Sequence, residues 1–193
     1  MIAHVIHQVA KALPRELIAA ATSTGLSDDP LARYLEGLGI SVFRGPLENV
    51  FARFQLCLEK YPCEWFFRVC ADSPRLDEEL LKTALTYQAR KGLDLVTNIQ
   101  IRTFPRGHSV EMVRASTFAK ISEKRLTEDE KEHVTKIYYH HPEEFRIFNI
   151  ASDPAGQPME SYAVDTVDDL QRLEKMMAKE DLGLRNVTRP EHA

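Results

Sequence analysis

The sequence predicts an α/β domain, a mostly parallel sheet covered by helices on both faces. Three observations carry this. Short apolar runs of strand type alternate with segments whose apolar residues recur at helical spacing. There is no internal repeat and no low-complexity stretch, so neither a solenoid nor a long linker is expected. Hydrophobic residues make up 44% and charged residues 28% of the 193 residues, which is enough apolar material for one closed core. The expected organisation is a single domain over residues 1–180 and a C-terminal tail at 181–193 whose end frays.

Taken in order, Ile2, Val5, Ile6 and Val9 have the spacing of an amphipathic helix, which Pro14 ends. Residues 17–21 read as a short strand. Ser27-Asp28-Asp29-Pro30 reads as a helix start, with acidic caps and a proline in the first turn. Leu31, Ala32, Leu35 and Leu38 line that helix and Gly39 closes it. Residues 40–43 form a strand, Val50, Phe51, Phe54 and Leu58 a helix, and 65–71 a strand. Leu80, Leu81, Ala84 and Leu85 mark a helix, 93–97 a strand, and Pro105 with Gly107 a loop. Thr127 and Glu130 make a capping box opening a helix to about Tyr139, and 145–150 alternate like an edge or hairpin strand. Thr166 with Asp169 opens a last helix carrying Leu170, Leu173 and Met177.

Composition excludes several function classes. A net charge of -4 gives no long-range field for nucleic acid or an anionic membrane, although a local basic pocket for phosphates is compatible with it. No apolar run reaches the ~20 residues of a membrane span, and no leader pattern opens the chain. Cys57, Cys63 and Cys70 lack Cys-x-x-Cys spacing, so reduced thiols and a cytoplasmic location are expected. There is no P-loop, no dinucleotide fingerprint and no serine-hydrolase elbow.

The stretch Arg68-Val69-Cys70-Ala71-Asp72-Ser73-Pro74 is the most informative: an apolar strand ends in a carboxylate and a proline-fixed turn. Ligands of open α/β sheets bind beyond the carboxyl ends of the strands, where Asp72 would hold magnesium or cap the turn before Asp77. Asp165, after Tyr162-Ala163-Val164, has a similar setting; it either joins Asp72 on one metal or caps the helix at Thr166. Thr22 and Ser23 end a strand and offer hydroxyls to a base or sugar, or only to a turn. Arg44 also ends a strand. Glu111 is placed to accept hydrogen bonds from sugar hydroxyls, and His133 lies in the capped helix. His4/His7 and His140/His141 have metal-pair spacing and no further support.

In order along the chain, Ala21-Thr22-Ser23 with Asp28-Asp29, Val42-Phe43-Arg44-Gly45, Arg68 with Ala71-Asp72-Ser73-Pro74, and Asp94-Leu95-Val96-Thr97-Asn98 form a series. Arg102-Thr103-Phe104-Pro105-Arg106-Gly107 with Val110-Glu111, Glu132-His133-Val134-Thr135 and Val164-Asp165-Thr166 complete it. Any one motif is weak, but the ordered set resembles the CMP-sugar cytidylyltransferases. The nearest look is to the spore coat polysaccharide biosynthesis protein F type, related to the CMP-ketodeoxyoctonate and acylneuraminate synthetases. The resemblance implies a Rossmann-like nucleotide-diphospho-sugar transferase fold and a magnesium-dependent transfer of CMP from CTP to an acidic or amino sugar, with pyrophosphate released, in surface polysaccharide biosynthesis. It implies Asp72 and Asp165 as catalytic metal ligands for Mg2+. Thr22, Ser23 and Arg68 would face the nucleotide, and Asn98, Glu111 and His133 the acceptor sugar. Homodimerisation through residues 99–107 and 137–150 is a further implication.

The chain departs from that pattern in three places. Ala71 stands where glycine is usual before the metal aspartate, and Lys131 replaces an arginine, keeping charge but losing the bidentate fork. The family opens with a strand and a glycine-rich Arg/Lys loop, whereas this chain begins Met1-Ile2-Ala3-His4-Val5-Ile6. Such a loop would supply N–H donors and cations to a triphosphate, and its strand would sit mid-sheet. The expectation is therefore two uncovered strand edges, in a chain that is part of a longer frame or a catalytically impaired relative. The alternative function is a non-catalytic sugar- or partner-binding module of the same fold.

Overall fold

The structure, a computed structural model, describes residues 1–152 and 160–187, with 179–187 as backbone only. Helix α1 (Ile2–Ala10) leads into strand β1 (Ala19–Ser23), α2 (Asp29–Gly37), β2 (Ser41–Gly45), α3 (Val50–Lys60) and β3 (Trp65–Phe67). Next come α4 (Glu78–Leu85), β4 (Leu95–Thr97), β5 (Glu111–Arg114) and the single turn α5 (Ala115–Phe118). The chain continues through α6 (Glu128–Glu132), α7 (Lys136–His140), β6 (Ile147–Asn149) and α8 (Val167–Val187).

The strands form two sheets. β1 and β2 pair in parallel, and the other sheet has the order β3-β5-β4-β6. Within it β5 runs antiparallel to β3 and β4, while β4 and β6 are parallel. β5 was not expected, since its four residues follow a long loop and carry one short apolar pair. Among the described residues β1 pairs only with β2 and β3 only with β5, so β1 and β2 edge the small sheet and β3 and β6 the larger one.

Period-2 alternation sorts the sheet's side chains into two cores. Val96 and Met112 join Val5 and Val9 of α1 and Leu80, Leu81 and Ala84 of α4 on one face. Leu95, Val113 and Phe66 meet Phe51 of α3, Phe118, Val134 and Ile137 on the other. Ile6 of α1 turns instead to Leu35 of α2 and Ile40, with Ala20 and Val42 of the small sheet beside them. α1 therefore spans both sheets from one side. α3 does the same from the other, touching β1 and β2 while Phe54 packs on Phe66, ring centroids 6.1 Å apart. Helices on both faces, rather than strand pairing, hold the two sheets in one layer.

Several local expectations hold and some change. Gly39 follows α2 with φ 72, the left-handed cap that glycine adopts without a Cβ penalty. The Thr127/Glu130 capping box is present. The helix it opens breaks at residues 133–135, however, and restarts as α7. Residues 145–150 give the edge strand β6, paired with β4. α8 opens at Thr166 and Asp169 as expected and continues to Val187. Residues 188–193, where fraying was expected, lie outside the described residues. No helix among the described residues is long and apolar enough to cross a membrane. All three cysteines are free thiols.

Candidate active site

The carboxyl ends of β3 and β4 and the start of the antiparallel β5 lie at one end of the larger sheet, because Thr97 pairs with Glu111 and Phe67 with Met112. Arg68, one residue past β3, continues the ladder by donating its N–H to Glu111 O at 2.9 Å. Arg68, Glu111 and Thr97 thus stand in a row across three strands. The Glu111 side chain is 2% exposed. It accepts from Tyr139 Oη at 2.7 Å and from Arg68 Nη1 at 3.4 Å, and Tyr139 Oη also meets Thr97 Oγ1 at 2.9 Å. Burial, then Glu111, push the Tyr139 phenol well above its ordinary value, so it acts as a donor. Arg68 Nη1 also reaches Cys70 Sγ at 2.7 Å. Burial raises that thiol to about 11 against the opposing pull of Arg68, which makes Cys70 an inert thiol. Burial, then Arg106, lowers the Arg102 guanidinium, while Tyr139 and Glu111 pull the other way.

Asp72 lies beyond β3. Val164 donates its backbone N–H to Asp72 O at 2.9 Å, so Asp165, the next residue, follows directly from the chain that borders Asp72. The turn alternative holds for Asp72, whose carboxylate bonds the next residue, and the helix caps fall to neighbouring residues. Asp77 caps α4 itself, accepting from Glu79 N at 2.8 Å, while Asp72 Oδ1 takes Ser73 Oγ at 2.8 Å. Thr166 and Asp169 form the reciprocal cap of α8, with Thr166 Oγ1 to Asp169 Oδ2 at 2.7 Å and Asp169 N to Thr166 Oγ1 at 3.2 Å. Asp72 and Asp165 lie on adjoining backbone and Asp165 is exposed, and such carboxylates are of the type magnesium takes, one or two of them together with water and phosphate.

The remaining candidates are placed as follows. Thr22 and Ser23 end β1 in the other sheet, both buried. Thr22 Oγ1 donates to Asp28 Oδ2 at 2.6 Å, Ser23 N donates to the same oxygen at 2.9 Å, and Ser23 Oγ accepts from Gly25 N at 3.1 Å. The hydroxyl of Thr22, then those of Ser23 and its backbone N–H, lower Asp28 to about 2. Asp28 was expected to cap α2 with its side chain; the carboxylate instead turns back onto β1, where a second carboxylate, Asp29, binds Arg44 Nη1 at 2.6 Å. Arg44 ties the turn further through Ser23 O at 2.7 Å and Gly25 O at 2.8 Å. Asn98 is fully buried and holds the loop before β5, donating to His108 O at 2.7 Å and accepting from Val110 N at 2.9 Å. His133 ends α6 with its side chain 54% exposed, 3.7 Å from Asp129. Among the described residues its side chain is not joined to Asn98 or Glu111, whose own partners lie elsewhere. Lys131 reaches Glu128 at 2.6 Å.

Sequence reasoning missed Tyr139, His108 and Tyr162. The first bridges β4 and β5, and the other two stack at a centroid distance of 4.8 Å. No local pattern marks them, because each acts through residues distant in sequence. A cavity of about 620 Å³ lies at the opposite end of the sheet, lined by Glu64, Arg90, Lys91, Asp94 and Arg114 among others. Its charges serve the fold, with Arg114 bonded to Leu93 O at 2.6 Å and Asp94 to Thr117 at 2.6 Å. His141 gathers Glu143 and Glu144 within 4.8 Å, but Glu144 already pairs with Arg125 at 2.7 Å.

No family model matches the chain. A cytidylyltransferase from Leptospira borgpetersenii superposes with a TM-score of 0.85 at 20% identity, covering 92% of this chain and 75% of that one. The CMP:2-keto-3-deoxy-manno-octonic acid synthetase, solved in complex with CTP, gives 0.66 at 14% identity over 93% of this chain and 88% of its own. The fold is thus the Rossmann-like fold of the nucleotidyltransferases. In sequence, the chain is 30% identical over 167 residues to the spore coat polysaccharide biosynthesis protein SpsF of Bacillus subtilis (strain 168). That match covers 86% of this chain and 68% of the relative. The chain belongs to the SpsF family.

Proposed function

We propose that the chain is a cytidylyltransferase acting in sugar-nucleotide formation for a surface polysaccharide. In the reaction, a hydroxyl oxygen of an acidic or amino sugar bonds to the α-phosphorus of CTP and gives up its proton to solvent. The bond from that phosphorus to the bridging oxygen breaks, and pyrophosphate leaves. The observation that carries the reading is the Val164 N to Asp72 O bond at 2.9 Å, which lays the backbone leading to Asp165 against Asp72.

Asp72 and Asp165 would hold Mg2+, which when bound offsets charge on the α-phosphate. Arg68, fixed by Glu111 and the β5 backbone, supplies a cation on the nucleotide side, together with Thr22 and Ser23. On the acceptor side, Glu111 is the buried carboxylate, Asn98 shapes the loop beside it and His133 lies at the rim. The chain works on CTP and a sugar in the cytoplasm, without nucleic acid or membrane. Homodimerisation through residues 99–107 and 137–150 belongs to the same reading, and within the first of these Ile101 is 66% exposed. One observation favours the alternative of a non-catalytic sugar- or partner-binding module: the Thr22 and Ser23 hydroxyls are both engaged within their own turn.

The test is pyrophosphate release from CTP with Mg2+ and a panel of acidic and amino sugars. In a form carrying the family's glycine-rich Arg/Lys loop, the proposal expects release that Asp72→Asn and Asp165→Asn each reduce by at least roughly 100-fold, the loss of a metal-ligand contact to the reacting phosphate. Turnover that both variants retain would overturn it. Sugar binding without turnover in wild type and both variants alike would establish the alternative.

A further inference from the structure

We propose that Gly107 and Tyr162 are positioning residues that dock the segment leading to Asp165 against the loop carrying Asp72. The inference rests on the reading that these two aspartates share a divalent cation, and it names what brings them together.

Extended backbone presents the N–H groups of residues i and i+2 along one edge. Along this edge Tyr162 N donates to Arg106 O at 2.7 Å and Val164 N to Asp72 O at 2.9 Å, so one short segment is laced to two separate loops. The lacing depends on Gly107. Its φ is 90, in the region that side-chain-bearing residues rarely adopt. A Cβ there would lie 2.4 Å from Tyr162 C, 2.7 Å from Ala163 N and 2.7 Å from Tyr162 O. All three are backbone atoms of the docked segment, so no side chain can rotate away to relieve the contact.

The ring of Tyr162 secures the same segment from the side. Tyr162 is 8% exposed, with His108 stacked on it at 4.8 Å and 27° and the Arg75 guanidinium 5.1 Å from its centroid. His108 in turn bonds the backbone of Arg75, joining the loop after β4 to the loop after β3 around this one ring. Behind it, Arg172 Nη2 donates to Ser161 O at 2.6 Å, fixing the segment to α8. Asp165 is three residues past the clamped ring and one past the bond to Asp72. Its placement is thus set by contacts of the segment before it, not by those of its own carboxylate.

The test is Mn2+ titration followed by electron paramagnetic resonance, with circular dichroism to establish folding, on wild type, Asp72→Asn, Asp165→Asn, Gly107→Ala, Tyr162→Ala and Tyr162→Phe. Residues that orient metal ligands typically change metal affinity about 10–100-fold, and that loss is expected for folded Gly107→Ala and Tyr162→Ala. Tyr162→Phe keeps the stacked ring and should retain wild-type affinity, a rescue that general destabilisation would not give. If Gly107→Ala does not fold, the Tyr162 pair decides. Wild-type affinity in Tyr162→Ala and in folded Gly107→Ala, with loss in both aspartate variants, overturns this inference alone. Absence of Mn2+ binding in wild type, or binding indifferent to both aspartates, overturns the shared-cation reading beneath it.

Discussion

Removing the Glu111 carboxylate should destabilise the chain by several times the cost of an ordinary surface change. Glu111 is 2% exposed and accepts a hydrogen bond from Tyr139 at 2.7 Å and one from Arg68 at 3.4 Å. Hydrogen bonds to a charged group contribute about 1.5–3 kcal/mol each, so loss of the short Tyr139 bond alone sets the lower end. The Arg68 contact is longer, and at 23% side-chain exposure water can replace part of it. Tyr139 keeps Thr97 Oγ1 at 2.9 Å, so its hydroxyl is not wholly orphaned. Together these set Glu111→Ala at about 2–4 kcal/mol, and Glu111→Gln, which keeps an acceptor and the shape, at about 1–2 kcal/mol. Urea unfolding measures both, since a stability change moves the midpoint at constant slope. A double-mutant cycle with Tyr139→Phe should give a coupling of about 1–2 kcal/mol. A Glu111→Ala loss under about 0.5 kcal/mol, or additivity in the cycle, would refute the claim that this carboxylate organises the strand ends.

Two further outcomes follow from the titrating groups. Asp28 is held at about 2, below its ordinary 3.8, so its contribution is complete above 3.8 and is lost as pH falls towards about 2. Asp28→Asn should cost about 1–2 kcal/mol at neutral pH through its two β1 hydrogen bonds and flatten the acid limb in that window; an unchanged acid limb contradicts the assignment. His108 is lowered from 6.5, first by burial and with Arg75 acting in the same sense, while Asp77 and the Arg75 backbone bond oppose them. The unfolded chain therefore binds a proton more readily, and stability should decline as pH drops below 6.5. His108→Gln should remove that decline, as read from thermal melts in a pH series; a slope identical to wild type would show that another group is responsible.

Much of the fold was legible because it depends on short-range pattern. The spacing of Ile2, Val5, Ile6 and Val9 gives α1, and the Thr127/Glu130 and Thr166/Asp169 pairs cap helices through residues three apart. The strand-end setting expected for Asp72 and Asp165 was not met, since β3 closes at Phe67 and the described residues just before Asp165 form no strand; an apolar run alone does not say whether a partner strand lies beside it. β5 escaped notice because an antiparallel strand entered through a loop leaves no alternation of helix and strand. The break at residues 133–135 escaped because a continuous helical pattern does not reveal where tertiary packing diverts the chain.

What the sequence determined alone was the kind of elements, their order, and the acidic and basic side chains near strand ends, all set by local periodicity, caps and turns. Only the tertiary structure decided which of those side chains act together. It set Glu111 between Arg68 and Tyr139, turned Asp28 back onto β1, and laid Val164 against Asp72 through the space that Gly107 leaves open. The physical reason is that hydrogen bonds and close backbone contacts between residues distant in sequence depend on distances that no local pattern encodes.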